Sequence, residues 1–192
     1  MNRGRTKFEK FLPCINIWVR FYSIFPQKVQ VKLLERSRYS RGYIGQVKRY
    51  ALVKNMALSV GNNVSIKEGV YLYNIGQLSI GNNVSIWPMT YIDAYGGVEI
   101  GDDVSIAHSC SILSFDHTFD EQDIPIKYQS VRKLPVKIEK DVWLGAKVVV
   151  LGGTTVRSGC VIGAGSVVTK NTEEKSVYVG VPAKKIKERL FQ

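Results

Sequence analysis

The chain has 192 residues, 45% of them hydrophobic, and carries 27 lysines and arginines against 16 aspartates and glutamates, a formal net charge of +11. That length supports one sizeable core, while no apolar run approaches the roughly 20 residues that span a bilayer and no signal-peptide arrangement stands at the start. Three scattered cysteines, Cys14, Cys110 and Cys160, exclude a disulfide-built fold and point to a reducing, cytoplasmic compartment.

Residues 1–57 form a first zone, basic and helical. Phe8, Phe11, Leu12, Ile15, Trp18, Val19 and Tyr22 recur at helical spacing, with a helix start expected near Pro13 rather than an unbroken helix. A second helical pattern runs near Val29, Leu33 and Leu34, and a third near Val47, Tyr50, Ala51 and Lys54. Twelve basic residues from Arg3 to Arg49 are interleaved with Phe8, Phe11, Trp18, Phe21, Tyr22 and Phe25. Such a surface suits nucleic acid, an anionic membrane or an acidic sugar polymer. No nucleic-acid motif accompanies it, so no nucleic-acid partner is expected. Two readings stay open: a helical pad packed on the rest of the chain, which is preferred, and peripheral contact with the inner face of a membrane.

Residues 58–173 repeat. VGNNVSI (60–66), IGNNVSI (80–86) and IGDDVSI (100–106) recur at a spacing of 20. Aliphatic residues fall every sixth position: Val60, Ile66 and Leu72; Ile80, Ile86 and Ile92; Ile100, Ile106 and Ile112; then Ile138, Leu144, Val150, Val156, Ile162 and Val168. A small or β-branched residue follows most of them by four: Val64, Val84, Thr90, Val104, Cys110, Val142, Val148, Thr154, Cys160 and Ser166. A six-residue period marks a β-helix, in which three short strands with turns make one triangular coil and stacked coils share an aliphatic column. About five coils are expected. An antiparallel sandwich would alternate with period two and space its turns irregularly.

The period breaks at residues 114–135, a loop opening on Ser114-Phe115-Asp116-His117. Only two histidines occur, His108 and His117. Residues 174–192 follow as a C-terminal extension, in which Pro182 suits the start of a short basic helix.

The stretch IEKDVWLGAKVVVLGGTTVRSGCVIGAGSVVTKN and the following VGVPAKKIKE resemble the hexapeptide-repeat acetyltransferases, nearest their maltose, galactoside and xenobiotic branch and the O-acetyltransferases of polysaccharide synthesis. The resemblance covers roughly residues 58–190. It implies a left-handed parallel β-helix, acetyl-coenzyme A as co-substrate, a carbohydrate acceptor and a homotrimer with the active site between subunits. It also implies that the loop histidine, His117, is the catalytic general base and touches the acceptor. An imidazole titrates near neutral pH and is the commonest such base.

By the same resemblance Trp143 lies against the histidine and the acetyl group. Gly145, Ala146, Gly163 and Ala164 offer backbone to the pantetheine arm, Thr169 and Lys170 lie near the nucleotide end, and Lys187 meets the cofactor phosphates. Asp93 binds acceptor hydroxyls. Each glycine also has a plain reading as coil geometry, Trp143 as a subunit contact, and Asp93 as a solvated turn residue. Sugar N-acetylation is the nearest alternative reaction. A non-catalytic basic scaffold is a different class; it would not bind coenzyme A. A zinc hydratase on this scaffold needs three histidines, and the chain has two, so no metal is expected.

Overall fold

The computed structural model describes residues 3–189; residues 1–2 and 190–192, at the ends of the two flanking zones, lie outside the described residues. The repeat zone is a three-faced parallel β-helix, consistent with the left-handed form. Its first face stacks Ser59–Val60, Leu78–Ile80, Val98–Ile100, Val136–Ile138 and Thr155–Val156. The second stacks Ser65–Ile66, Ser85–Ile86, Ser105–Ile106, Trp143–Leu144 and Val161–Ile162, and the third Tyr71–Tyr73, Tyr91–Asp93, Ser111–Leu113, Val149–Val150 and Val167–Val168. Five coils are complete, and Ser176–Val179 begins a sixth on the second face.

The register matches the sequence period. Val60 pairs with Ile80, Ile80 with Ile100, Ile100 with Ile138 and Ile138 with Val156, and the other two faces align their aliphatic residues likewise. All fifteen period residues and all ten small ones are buried. Corners between the first and second faces turn through Asn63, Asn83, Asp103 and Asp141, each at positive φ, where short polar side chains are tolerated. They also stack: Asn63 donates to Asn83 at 3.1 Å and Asn83 to Asp103 at 2.9 Å. The two extra residues of the early coils fall at the corner between the third and first faces, which holds the 3₁₀ turn Ile75–Gln77 and, one coil on, the bend Ala94–Gly97.

Three helices close the first coil: α1 (Arg3–Ser23), α2 (Gln27–Ser37) and α3 (Gly42–Met56). α3 lies between the other two helices and the solenoid, which is why Tyr50, Ala51, Leu52 and Val53 are all buried in sequence. Its polar side chains replace a missing coil. Within the stack the Ile80 and Ile86 carbonyls accept from Gly61 and Lys67 of the coil beneath. The equivalent carbonyls of Val60 and Ile66 have no coil beneath them and accept instead from Lys54 Nζ at 2.6 Å and Arg49 Nε at 2.9 Å. Arg49 is 1% exposed, and its Nη1 also donates to the Ser37 and Ser40 carbonyls at 2.8 and 2.7 Å, tying the end of α2 to the coil. We expect Arg49→Leu to destabilise the protein by about 3 kcal/mol, since two buried carbonyls and one half-buried carbonyl lose a charged donor. A urea-melt difference below about 1 kcal/mol would show that water replaces the guanidinium.

Two expectations need correction. α1 runs unbroken through Pro13; Pro13 is exposed, while Ile15 and Tyr22 hold the opposite side of α1 in the core. The C-terminal extension contains no helix among its described residues. Ser176–Val179 adds to the second face, and Lys184–Glu188 returns antiparallel to it. The last coil presents an open strand edge, and satisfying that edge outweighs the local helical pattern. Lys184–Glu188 is exposed throughout, so a helix there would have had no apolar face to bury.

Candidate active site

The break in the period is a β-hairpin at the corner between the third and first faces. Its strands, Phe115–His117 and Val131–Lys133, pair antiparallel with His117 opposite Val131 and Asp116 opposite Arg132. The base is clamped by Ser114, which is fully buried. Ser114 Oγ donates to the Asp93 carbonyl at 2.7 Å and accepts from the Gly96 N–H at 2.9 Å, and the Ser114 carbonyl accepts from Leu134 at 2.8 Å. A side chain on Gly96 would collide with the Ser114 carbonyl and the Leu134 nitrogen. At the tip the buried Gln129 amide donates to the Glu121 and Ile124 carbonyls at 2.8 and 2.7 Å. The hairpin is therefore clamped to the solenoid at its base and braced within itself at its tip.

His117 is exposed at the end of its strand. Phe115 sits beside it with ring centroids 6.5 Å apart, and Tyr95 meets Phe115 edge-on at 6.0 Å. Lys133 Nζ lies 5.0 Å over the Tyr95 ring. Asp116 and His117 are successive in a strand and point to opposite sides, so Asp116 is not placed to orient the imidazole. His108 is exposed at the corner between the second and third faces, where its carbonyl accepts from Lys147 at 3.0 Å. The two histidines thus occupy different corners.

Asp93 belongs to the His117 corner. It is 8% exposed, not a solvated turn residue; its Oδ1 accepts from Asn74 Nδ2 at 2.6 Å and from the Tyr95 N–H at 3.1 Å. Burial, then the Asp93 charge, pushes the neighbouring Tyr91 phenol upward. Asn74 escaped the sequence reading. It stands in the corner insertion at positive φ, and the Asn that tolerates that conformation is the one signal that marks it. Thr169 and Lys170 lie at the same corner two coils on, both exposed.

The remaining candidates lie elsewhere. Trp143 is 55% exposed on the second face, the side of the triangle opposite the His117 corner. A groove of about 360 Å³ runs beside it, lined by Asp103, Ser105, Asp141, Val142, Val161 and Arg189, with Arg189 paired to Asp141 at 2.8 Å. Lys187 extends that face, exposed and opposite Val177.

Gly145, Ala146, Gly163 and Ala164 line the corner between the second and third faces. A Cβ on Gly145 would come within 2.7 Å of the Ala164 nitrogen, and one on Gly163 within 2.7 Å of Val179 Cγ1. Coil stacking alone therefore requires Gly145, whereas at Gly163 the Val179 side chain would have to shift. Cys110 and Cys160 are core residues: Cys110 Sγ donates to the Gly145 carbonyl at 3.1 Å, and burial raises its pKa to about 11. The chain thus gathers His117, Asp93, Thr169 and Lys170 at one corner and leaves Trp143 on the far face.

Residues 135–170 match the family model described as the hexapeptide repeat of succinyl-transferase. A galactoside O-acetyltransferase of Escherichia coli is 34% identical over 141 residues, covering 73% of this chain and 68% of that protein. A probable acetyltransferase of Mycobacterium tuberculosis is 46% identical over 84 residues, 44% of this chain, and this chain spans only 28% of its length. Among solved structures, a point mutant of AntD, an N-acyltransferase from Bacillus cereus, in complex with dTDP-4-amino-4,6-dideoxyglucose and coenzyme A, superposes with a TM-score of 0.61 at 29% identity, covering 74% of this chain and 90% of that one.

Proposed function

The chain belongs to the hexapeptide-repeat acetyltransferase family, and on that premise we propose that it transfers an acetyl group from acetyl-coenzyme A to a hydroxyl of a carbohydrate, in polysaccharide synthesis, with His117 as general base. The observation that carries this reading is the position of His117: it stands on an anchored hairpin at the one place where the coil period breaks, among the rings of Phe115 and Tyr95. An exposed imidazole held clear of the solenoid wall can reach a hydroxyl that a coil residue could not. As the acceptor oxygen attacks the thioester carbon, the imidazole takes the hydroxyl proton; the C–O bond forms, the C–S bond breaks, and the proton passes to the departing thiolate. Asp93 lies at the same corner as a buried carboxylate fit to hold a second acceptor hydroxyl, with Tyr95 and Phe115 offering ring faces to the sugar. AntD, with its amino-sugar ligand, favours the second reading, N-acetylation. The galactoside relative shares more identity and a comparable length of chain, and for that reason the hydroxyl is preferred.

Incubating the protein with acetyl-coenzyme A and a panel of neutral sugars, oligosaccharides and amino sugars tests the reaction. We expect an acceptor to gain the mass of one acetyl group, as an ester that mild alkali removes. An alkali-stable product would establish the amide instead, and no coenzyme A binding by calorimetry would leave a non-catalytic scaffold.

The site further requires a neighbour. His117 and Trp143 lie in adjacent coils on opposite sides of the solenoid, so a thioester held between them needs a second copy, and a cyclic trimer supplies one at each of three equivalent interfaces. Trp143 then covers the neighbour's His117 corner, with Thr169 and Lys170 on the histidine side and Gly145, Ala146, Gly163, Ala164 and Lys187 on the tryptophan side of the cofactor. Light scattering should give three subunit masses. A monomer at micromolar concentration that retains activity would contradict it.

A further inference from the structure

Charge is not spread over the molecule. Residues 1–57 hold 13 lysines and arginines and 2 glutamates, and residues 58–192 hold 14 basic and 14 acidic residues. The whole net charge of +11 therefore belongs to the helical segment, and the solenoid is neutral. The segment's contact with the solenoid is made chiefly by α3, which uses only Arg49 and Lys54 of those cations as carbonyl donors.

α1 divides its circumference. Ile15 and Tyr22 enter the core, and Phe8 and Val19 pack against it. The adjoining arc, about 120° wide at 100° per residue, carries Phe11, Cys14, Ile17, Trp18 and Phe21, all exposed; Ile17 is 67% exposed and Ile24, in the turn that follows, 77%. Lys10 falls inside that arc, between Ile17 and Phe21 around the helix, and Arg20 lies outside it, both exposed; Lys28, Lys32 and Arg36 repeat at every fourth position along the outside of α2. Trp18 and Phe21 meet edge-on at 6.2 Å, making a continuous aromatic surface. Among the described residues no helix is long and apolar enough to cross a membrane. An arc of exposed aromatic and aliphatic side chains with one long lysine among them, whose stem can lie along the apolar surface while its ammonium reaches the headgroups, on a segment that holds all the net charge, has the chemistry of a helix lying in the headgroup layer.

We propose that α1 docks the protein on an anionic bilayer, with Phe11, Ile17, Trp18 and Phe21 in the acyl boundary and the surrounding lysines and arginines on the headgroups. The pad and the membrane contact are then two faces of one segment: α3 holds the solenoid and α1 meets the lipid. The inference stands apart from the proposed activity, because binding is read without turnover.

Cys14 provides the probe. It lies within the apolar arc and is exposed, whereas Cys110 and Cys160 are buried. In the free full-length protein a maleimide should label Cys14 alone, and promptly. Vesicles of phosphatidylcholine with phosphatidylglycerol should sediment the protein and slow that labelling about tenfold, and pure phosphatidylcholine should do neither. Ile17→Glu with Phe21→Glu, both surface changes, should keep the parent's melting temperature and weaken vesicle binding roughly a hundredfold, about tenfold for each large apolar side chain withdrawn. Lys28→Glu with Lys32→Glu should weaken it and flatten its salt dependence. Cys14 unreactive in the free protein would mean that another copy covers the arc and would overturn the proposal. So would the absence of sedimentation with anionic vesicles, equal binding to neutral ones, or binding that survives the two α1 substitutions.

Discussion

Replacing His117 with alanine should lower kcat by about 10²–10⁴-fold, the range that a positioned general base contributes. The substitution removes a side chain that is exposed and touches only the Phe115 ring among its ring contacts, so the hairpin and its Ser114 clamp should be undisturbed. The melting temperature and oligomeric state should equal the parent's, and coenzyme A affinity should hold, since the proposed pantetheine contacts lie on other residues. His108 gives the internal control. It sits at a different corner of the same coil, with only its backbone engaged, and His108→Ala should keep turnover close to the parent's. If His117→Ala turns over within about threefold of the parent while His108→Ala does not, the base has been assigned to the wrong histidine.

Removing residues 1–57 should abolish soluble expression of the solenoid. α3 supplies the donors that the first coil would otherwise take from a preceding one, through Arg49 to Ile66, Tyr50 to Gly61 and Lys54 to Val60. It also covers the apolar end of the aliphatic column with Leu52, Val53 and Met56. Without it the coil presents both an unpaired strand edge and an exposed apolar end, the combination that templates aggregation in repeat folds. A truncated chain that stays soluble and melts cooperatively within a few degrees of the parent would show that α3 is ornament to the solenoid, not its cap.

The solenoid was legible because each coil must satisfy the same steric demands as its neighbours. Ile80, Ile100 and Ile138 occupy one column, so a single rule of spacing places every one of them. The hairpin position was legible for the converse reason: residues 114–135 belong to no column. Its pairing was not, since three-residue strands such as Phe115–His117 have no room to express a period. The C-terminal strand was hidden because its cause is the open edge of Ser176–Val179, which exists only once that segment is placed on the second face. Arg49 was read as one surface cation among many. Its burial follows from α3 being enclosed on nearly all sides, and the run Tyr50-Ala51-Leu52-Val53, apolar without helical alternation, is the trace that enclosure leaves.

His117 is proposed as the base from two histidines and one broken rhythm, and both of those are plain in the sequence. The separation of His117 from Trp143 is not, because two residues in adjacent coils look like neighbours until the faces of the triangle are known. The proposal that neighbouring subunits share the site rests on that separation, and complementation between two variants checks it. His117→Ala and Trp143→Asp, each expected to be inactive on its own, would be unfolded together, refolded as a mixture and assayed for acetyl transfer. In a random mixture about a quarter of the interfaces join an intact histidine of one subunit to an intact tryptophan of the next, so activity should return to about a quarter of the parent's. Mixed trimers that form and remain as inactive as either parent would show that each subunit keeps its own site.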